Sequence, residues 1–71
     1  MKTVKNIIEL RKEFLELLTE TQKGQLKVMG YFLLTPEEVK VEDIWRMTNQ
    51  NIQVRRKLIE LKQVSAKRLI A

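Results

Sequence analysis

Apolar residues recur at Val4, Ile7, Ile8, Leu10, Phe14, Leu15, Leu17 and Leu18, a spacing that predicts a helix over residues 4–18 with Thr3 as its N-cap. At about 100° per residue these side chains cover roughly half the helix circumference. One neighbouring helix does not cover that much, so the helix is expected either to be wedged among several others or to be shared with a second chain. Arg11 falls inside the apolar arc. Two readings are open for it: a stem lying along the margin with its guanidinium in water, or a charge paired across a dimer interface to fix register. On the opposite face Glu9, Glu13, Glu16 and Glu20 return to nearly the same angle and form an acidic stripe.

Thr19-Glu20-Thr21-Gln22 has the spacing of a capping box, which ends the first helix and starts a second near Gln22, one continuous helix being the alternative. Over residues 22–34, Leu26, Met29 and Leu33 share a stripe with Val28 and Phe32 beside it, and Gly24 and Gly30 each weaken a helix there by ~1 kcal/mol. A helix is expected. A buried strand competes for residues 28–34, because short apolar runs are ambiguous by period. Thr35-Pro36-Glu37-Glu38 joins a cap residue, a proline suited to the first helical position and a glutamate suited to the third. It predicts a short turn followed by a helix over about residues 41–48; in the longer alternative, a single helix running on to Met47, Val41, Ile44, Trp45 and Thr48 line one face. The last helix is expected over about residues 50–63, with Val54, Leu58 and Leu61 turned inward. The tail, residues 65–71, either continues it or frays.

The 71 residues make one domain, and a chain this short buries only about 60% of the surface it exposes unfolded. Two glycines, one proline, 44% apolar and 32% charged residues fit a folded helical globule. The expected fold is therefore all-α: a small bundle of about four helices, with residues 3–20 as a packing and dimerisation helix and residues 22–64 as the core. With no cysteine or histidine there is no disulfide framework and no ordinary structural zinc site; neither metal nor cofactor is expected. Support must come from tight packing or oligomerisation. A homodimer is expected, with Ile7, Leu10, Arg11, Phe14 and Leu17 at its interface. The longest nearly continuous apolar run, residues 28–34, falls far short of the ~20 residues of a membrane-spanning helix. The N-terminus meets charge at Glu9 and Arg11, which interrupts any signal-peptide core. A cytoplasmic location follows as the expectation.

Charge divides the chain unevenly. Residues 1–20 carry four basic and four acidic groups, residues 21–43 three and four, and residues 44–71 seven and one, so the positive excess behind the net +5 lies entirely in the last 28 residues. Catalysis lacks a histidine or cysteine to act as base or nucleophile, and Glu37, Glu38, Glu42 and Asp43 fit capping and helix-start roles. An enzyme is not expected. The basic end supplies the sequence-independent attraction to phosphate on which nucleic-acid binding rests. With Val54, Leu58 and Leu61 inward, Gln53, Arg56 and Glu60 project outward, while Arg55, Lys57 and Lys62 flank the inward stripe. Gln50 and Asn51 stand at the N-terminal end of the last helix, where a recognition helix meets bases. Arg, Gln and Asn are the side chains that pair bidentately with guanine and adenine edges. A plain solvated amphipathic helix is the competing reading.

Residues 22–64 resemble the helix-turn-helix superfamily of bacterial and phage DNA-binding proteins, winged-helix members included. The matching stretches are QLKVMGYFLL as first helix, VKVEDIWRMT as lead-in and second helix, and NQNIQVRRKLIELK as recognition helix, with apolar residues at Ile44, Val54, Leu58 and Leu61. The resemblance implies that Gln50, Asn51, Gln53 and Arg56 face bases and that Arg46, Arg55 and Lys57 contact phosphates. Lys62, Lys67 and Arg68 extend the phosphate-contacting set. The chain departs from the family in three places: Trp45 stands where a small residue is common, the turn is about one residue short, with Asn49 in place of glycine, and no wing hairpin is evident. Asparagine tolerates the left-handed conformation that the turn glycine adopts. The expected function is a DNA-binding transcription regulator or accessory factor with residues 50–63 in the major groove of double-stranded DNA. The alternative is a protein-interaction module, an inhibitor or assembly adaptor, that grips an acidic partner through Trp45, Ile52, Ile59 and the basic residues. RNA ranks third, since Phe14, Tyr31, Phe32 and Trp45 look mostly buried and stacking platforms are scarce.

Overall fold

Asn6 stands in extended backbone and its side chain accepts a hydrogen bond from the Glu9 amide at 2.9 Å, which starts the first helix, α1 (Ile7–Glu16). Asn6 therefore does the capping expected of Thr3. The structure, a computed structural model, describes residues 6–32 and 35–70, and the side chains as far as residue 66. Thr3 and Val4 lie outside these, as do Leu33, Leu34 and the side chains of Lys67 and Arg68.

The capping box forms as the sequence predicts. Thr19 accepts from the Gln22 amide at 3.1 Å and the Gln22 side chain accepts from the Thr19 amide at 2.9 Å, so α2 (Glu20–Val28) begins at Glu20. It ends sooner than expected. Gly30 takes φ +94°, its amide donates to the Lys27 carbonyl at 3.0 Å, and the Tyr31 amide donates to the Leu26 carbonyl at 2.9 Å. This is a Schellman motif, which only a residue free of Cβ adopts without strain. Helix over residues 22–34 is therefore corrected to a helix that stops at Val28, and residues 29–32 form neither helix nor strand.

Pro36–Glu38 forms a single 3-10 turn, after which α3 (Val41–Met47) and α4 (Ile52–Ile70) complete the chain. The short turn followed by a separate helix is the arrangement the sequence favours. Thr48 closes α3 by donating its hydroxyl to the Ile44 carbonyl at 2.5 Å. Asn49 and Gln50 then take the left-handed region, φ 53° and 62°. Asn51 caps α4, its side-chain oxygen accepting from the Gln53 amide at 3.0 Å and the Val54 amide at 3.5 Å. α4 passes beyond residue 63 and takes in most of the expected tail.

All described elements are helices or turns, four α-helices in an all-α fold. The core joins Ile7, Leu10, Phe14 and Leu18 of the first helical segment to Leu26, Val39, Ile44, Val54, Leu58 and Leu61. Burying each such side chain stabilises the fold by about 1.5–3 kcal/mol. α1 lies mainly against α4, with the 3-10 turn also on both. Most of the wide apolar arc of α1 is met within the chain: Ile7, Leu10 and Phe14 are no more than 5% exposed and Leu17 is half-buried, while Ile8 stays 69% exposed. Of the residues expected at a dimer interface, Ile7, Leu10 and Phe14 are thus spent in the chain's own core, whereas Leu17 and Arg11 keep part of their surface.

Candidate functional site

The inward stripe of α4 fixes what remains outside. With Val54, Leu58 and Leu61 fully buried, Ile52, Gln53, Arg55 and Arg56 are exposed on its first turns, and Gln50 and Asn51 are exposed just before them. Four of these bear on the expected base contacts. Gln50, Gln53 and Arg56 are solvent-facing as expected, whereas the Asn51 carboxamide oxygen is engaged by the amides of α4, which leaves its NH2 group as the end free for recognition.

The surroundings of Trp45 show how its bulk is accommodated. The indole is half-buried at the α3–α4 seam and the Arg55 guanidinium sits 4.9 Å from the ring centroid, a cation–π contact worth about 0.5–1 kcal/mol at an exposed site. The bulky ring is therefore turned to the side of the seam, where Arg55 covers it. Arg46 extends into solvent, 81% exposed, with a loose pairing to Asp43 at 3.9 Å.

Two of the expected contacts are spent internally. Lys57 is half-buried and bridges Glu13 of α1 at 3.3 Å and Glu60 at 3.4 Å, so it holds helices together and is withdrawn from the phosphate-contacting set. Arg11 forks onto Glu37 through Nε at 3.1 and 3.2 Å and through a close Nη2 contact, an ion pair within the chain and not across a dimer. Burial pushes the Glu37 carboxyl upward, but the hydrogen bonds from Arg11 and from its own backbone amide, with the charges of Arg11 and Lys62, outweigh that and hold it below its ordinary value. Lys62, half-buried, therefore acts on Glu37 as well as on the surface. Two further candidate carboxylates are occupied: Asp43 accepts from the Tyr31 hydroxyl at 2.5 Å, which raises the phenol pKa, and Glu38 accepts from Thr35 at 3.2 Å, while Glu42 is exposed in the first turn of α3. Among the described residues no group of three acidic side chains gathers to hold a metal ion, and no helix is long and apolar enough to cross a membrane.

The sequence missed a second surface feature. Met29, expected on the inward stripe, is 45% exposed, Val28 and Phe32, expected beside it, are 89% and 76% exposed, and Leu26 is the one buried side chain of α2. The left-handed signal of Gly30 could have indicated it, since a helix that ends at Val28 does not carry Met29 and Phe32 on along an inward stripe.

Comparison of the chain with protein-family models, with curated proteins and with solved structures finds no match. What the chain does is therefore argued from the geometry of its own surface.

Proposed function

We propose that the chain is a small DNA-binding factor that presents the first turns of α4 to the major groove. The observation that carries this reading is the joint exposure of Gln53, Arg55 and Arg56 at the start of one rigid helix, while Lys57 and Arg11 are consumed by ion pairs. Gln53 and Arg56 carry the donor and acceptor groups that read adenine and guanine edges. Arg55, pre-set by its contact with Trp45, and Arg46 beside it supply charge for flanking phosphates. Of the acidic stripe on α1, Glu13 is paired with Lys57 of α4, which offsets its repulsion of phosphate. The reading uses the helix-turn-helix arrangement of α3 and α4, with regulation of transcription as its ordinary role.

The protein-interaction reading draws support from Ile52, which is 56% exposed. It is weaker at the other two anchors, because Ile59 and Trp45 are both half-buried.

Fluorescence anisotropy with mixed-sequence duplexes across a salt series tests the proposal. Binding is expected at low salt, with log affinity falling linearly in log salt by about 0.9 per phosphate contact. Replacing Arg55 and Arg56 together by alanine is expected to weaken binding roughly tenfold or more and to flatten the salt slope by about 1–2. Absence of binding at low salt, or an unchanged affinity in the double variant, would end this reading.

A further inference from the structure

α2 gives the core a single side chain and leaves an open apolar groove against α3. Thr21, Gly24, Gln25, Val28 and Met29 line one wall, Asp43, Arg46 and Met47 the other, and the groove encloses about 630 Å³. Its floor is unusual at Gly24. A glycine inside an exposed helix costs ~1 kcal/mol relative to alanine, yet a Cβ at this position would meet nothing within 4 Å. The fold of the single chain does not require the missing side chain; the hollow does.

We propose that this groove docks the same face of a second copy of the chain, about a two-fold axis. A two-fold interface needs a patch complementary to itself, and this face has both halves of one. Val28, 89% exposed, is a ridge one turn along from the hollow at Gly24. The rim holds one base and one acid: Arg46 is 81% exposed, and Asp43, 22% exposed with Oδ2 held by the Tyr31 hydroxyl, keeps Oδ1 only loosely joined to Arg46 at 3.9 Å. Turning one copy over onto the other sets Arg46 of each against Asp43 of its mate. A rim of balanced charge does not select a strongly acidic or strongly basic foreign surface; it selects itself. α1 offers less to such an interface, since Ile7, Leu10 and Phe14 are buried in the core and, of its large apolar side chains, Ile8 alone is exposed, at 69%. A single groove is a small contact, so the association is reversible and depends on concentration. It shares one residue with the DNA-binding reading: in the dimer Arg46 turns to the mate's Asp43, and Arg55 on Trp45 is left as the flanking charge for phosphate.

Sedimentation or light-scattering mass over a rising concentration series tests this. The wild-type chain is expected to pass from one to two copies. Gly24→Gln fills the hollow with a good helix former, and it is expected to stay monomeric with an equal or higher melting temperature. Asp43→Arg and Arg46→Asp give like-charged rims, and each is expected to raise the dimer dissociation constant at least tenfold, with folding verified by circular dichroism. Mixed together, those two variants carry complementary rims and are expected to recover a heterodimer, visible by native mass spectrometry. A wild-type chain that stays monomeric throughout, a Gly24→Gln variant that dimerises as well as wild type, or a mixture without heterodimer overturns the proposal. A monomeric wild type whose groove binds an apolar dye that Gly24→Gln excludes also overturns it, and gives the groove to a foreign ligand. The anisotropy of the Arg55 and Arg56 double variant reads the other surface, so the two proposals fail separately.

Discussion

Arg11 and Lys57 carry the same formal charge as Arg56, yet each is committed to an acid on a different element, Glu37 at 26 positions away and Glu13 at 44. No periodic reading of the sequence reaches such partners, because helical angles give the side of a helix and not what lies opposite. Gln53 and Arg56 were legible for the converse reason: opposite a buried Val54–Leu58–Leu61 stripe, exposure follows from angle alone. The Arg11–Glu37 pair has a pH signature with a definite sign. The folded Glu37 carboxyl is held below its ordinary value, so its contribution to stability is fully present above the unfolded glutamate pKa of about 4.3 and is lost as pH falls through the lower folded value. Glu37→Gln is expected to lose roughly 1–2 kcal/mol at neutral pH, discounted because Arg11 is 35% exposed. The variant should also show less acid-side loss of melting temperature than wild type. Parallel melting curves for the two chains from pH 7 to pH 3 would refute the assignment.

At the level of elements, the two glycines separate features that look alike in the sequence. Both read as helix-weakening residues, but Gly24 lies within α2 with open space around it, and Gly30, at φ +94°, terminates that helix. Gly24→Ala is expected to stabilise the chain by up to about 1 kcal/mol. Gly30→Ala, forced into the left-handed region, is expected to destabilise it by about 1–2 kcal/mol. Thermal melts should move in opposite directions by several degrees, and shifts of the same sign would show that Gly30 is not the stop. Local chemistry made two starts legible, the Thr19 box and the Pro36 turn, each in four residues; the start of α4, expected at about Gln50, falls at Ile52 because Asn51 takes the capping role. The end of α2 was hidden because the apolar run through Phe32 mimics a continuing stripe, while the decisive quantity is a backbone dihedral. Asn49 and Gln50 at φ 53° and 62° illustrate the same limit, since asparagine hinted at the left-handed turn and glutamine did not.

For the molecule as a whole, the core is unevenly shared. α1, α3, α4 and the 3-10 turn meet around Phe14, Ile44, Leu58 and Leu61, whereas α2 is tied in by Leu26, by the Schellman contacts that follow it and by the Tyr31–Asp43 hydrogen bond. Free energies of opening follow the apolar surface each unit buries, so α2 should open on its own while the rest stays folded. Native-state hydrogen exchange is expected to give the amides of α2 a smaller opening free energy than those around Leu58 and Leu61, with less dependence on denaturant. Leu26→Ala should widen that gap, removing protection from α2 first and leaving the α1–α4 amides near the global value. Global stability for a chain of 71 residues is on the order of 4–10 kcal/mol, which leaves room for a sub-global opening to be measured beneath it. If α2 and α4 amides merge into one isotherm in wild type, the chain unfolds as a single unit and the groove beside α2 is as rigid as the core; if they separate, self-association through that groove must also order α2, and the slow-exchanging set should grow with protein concentration.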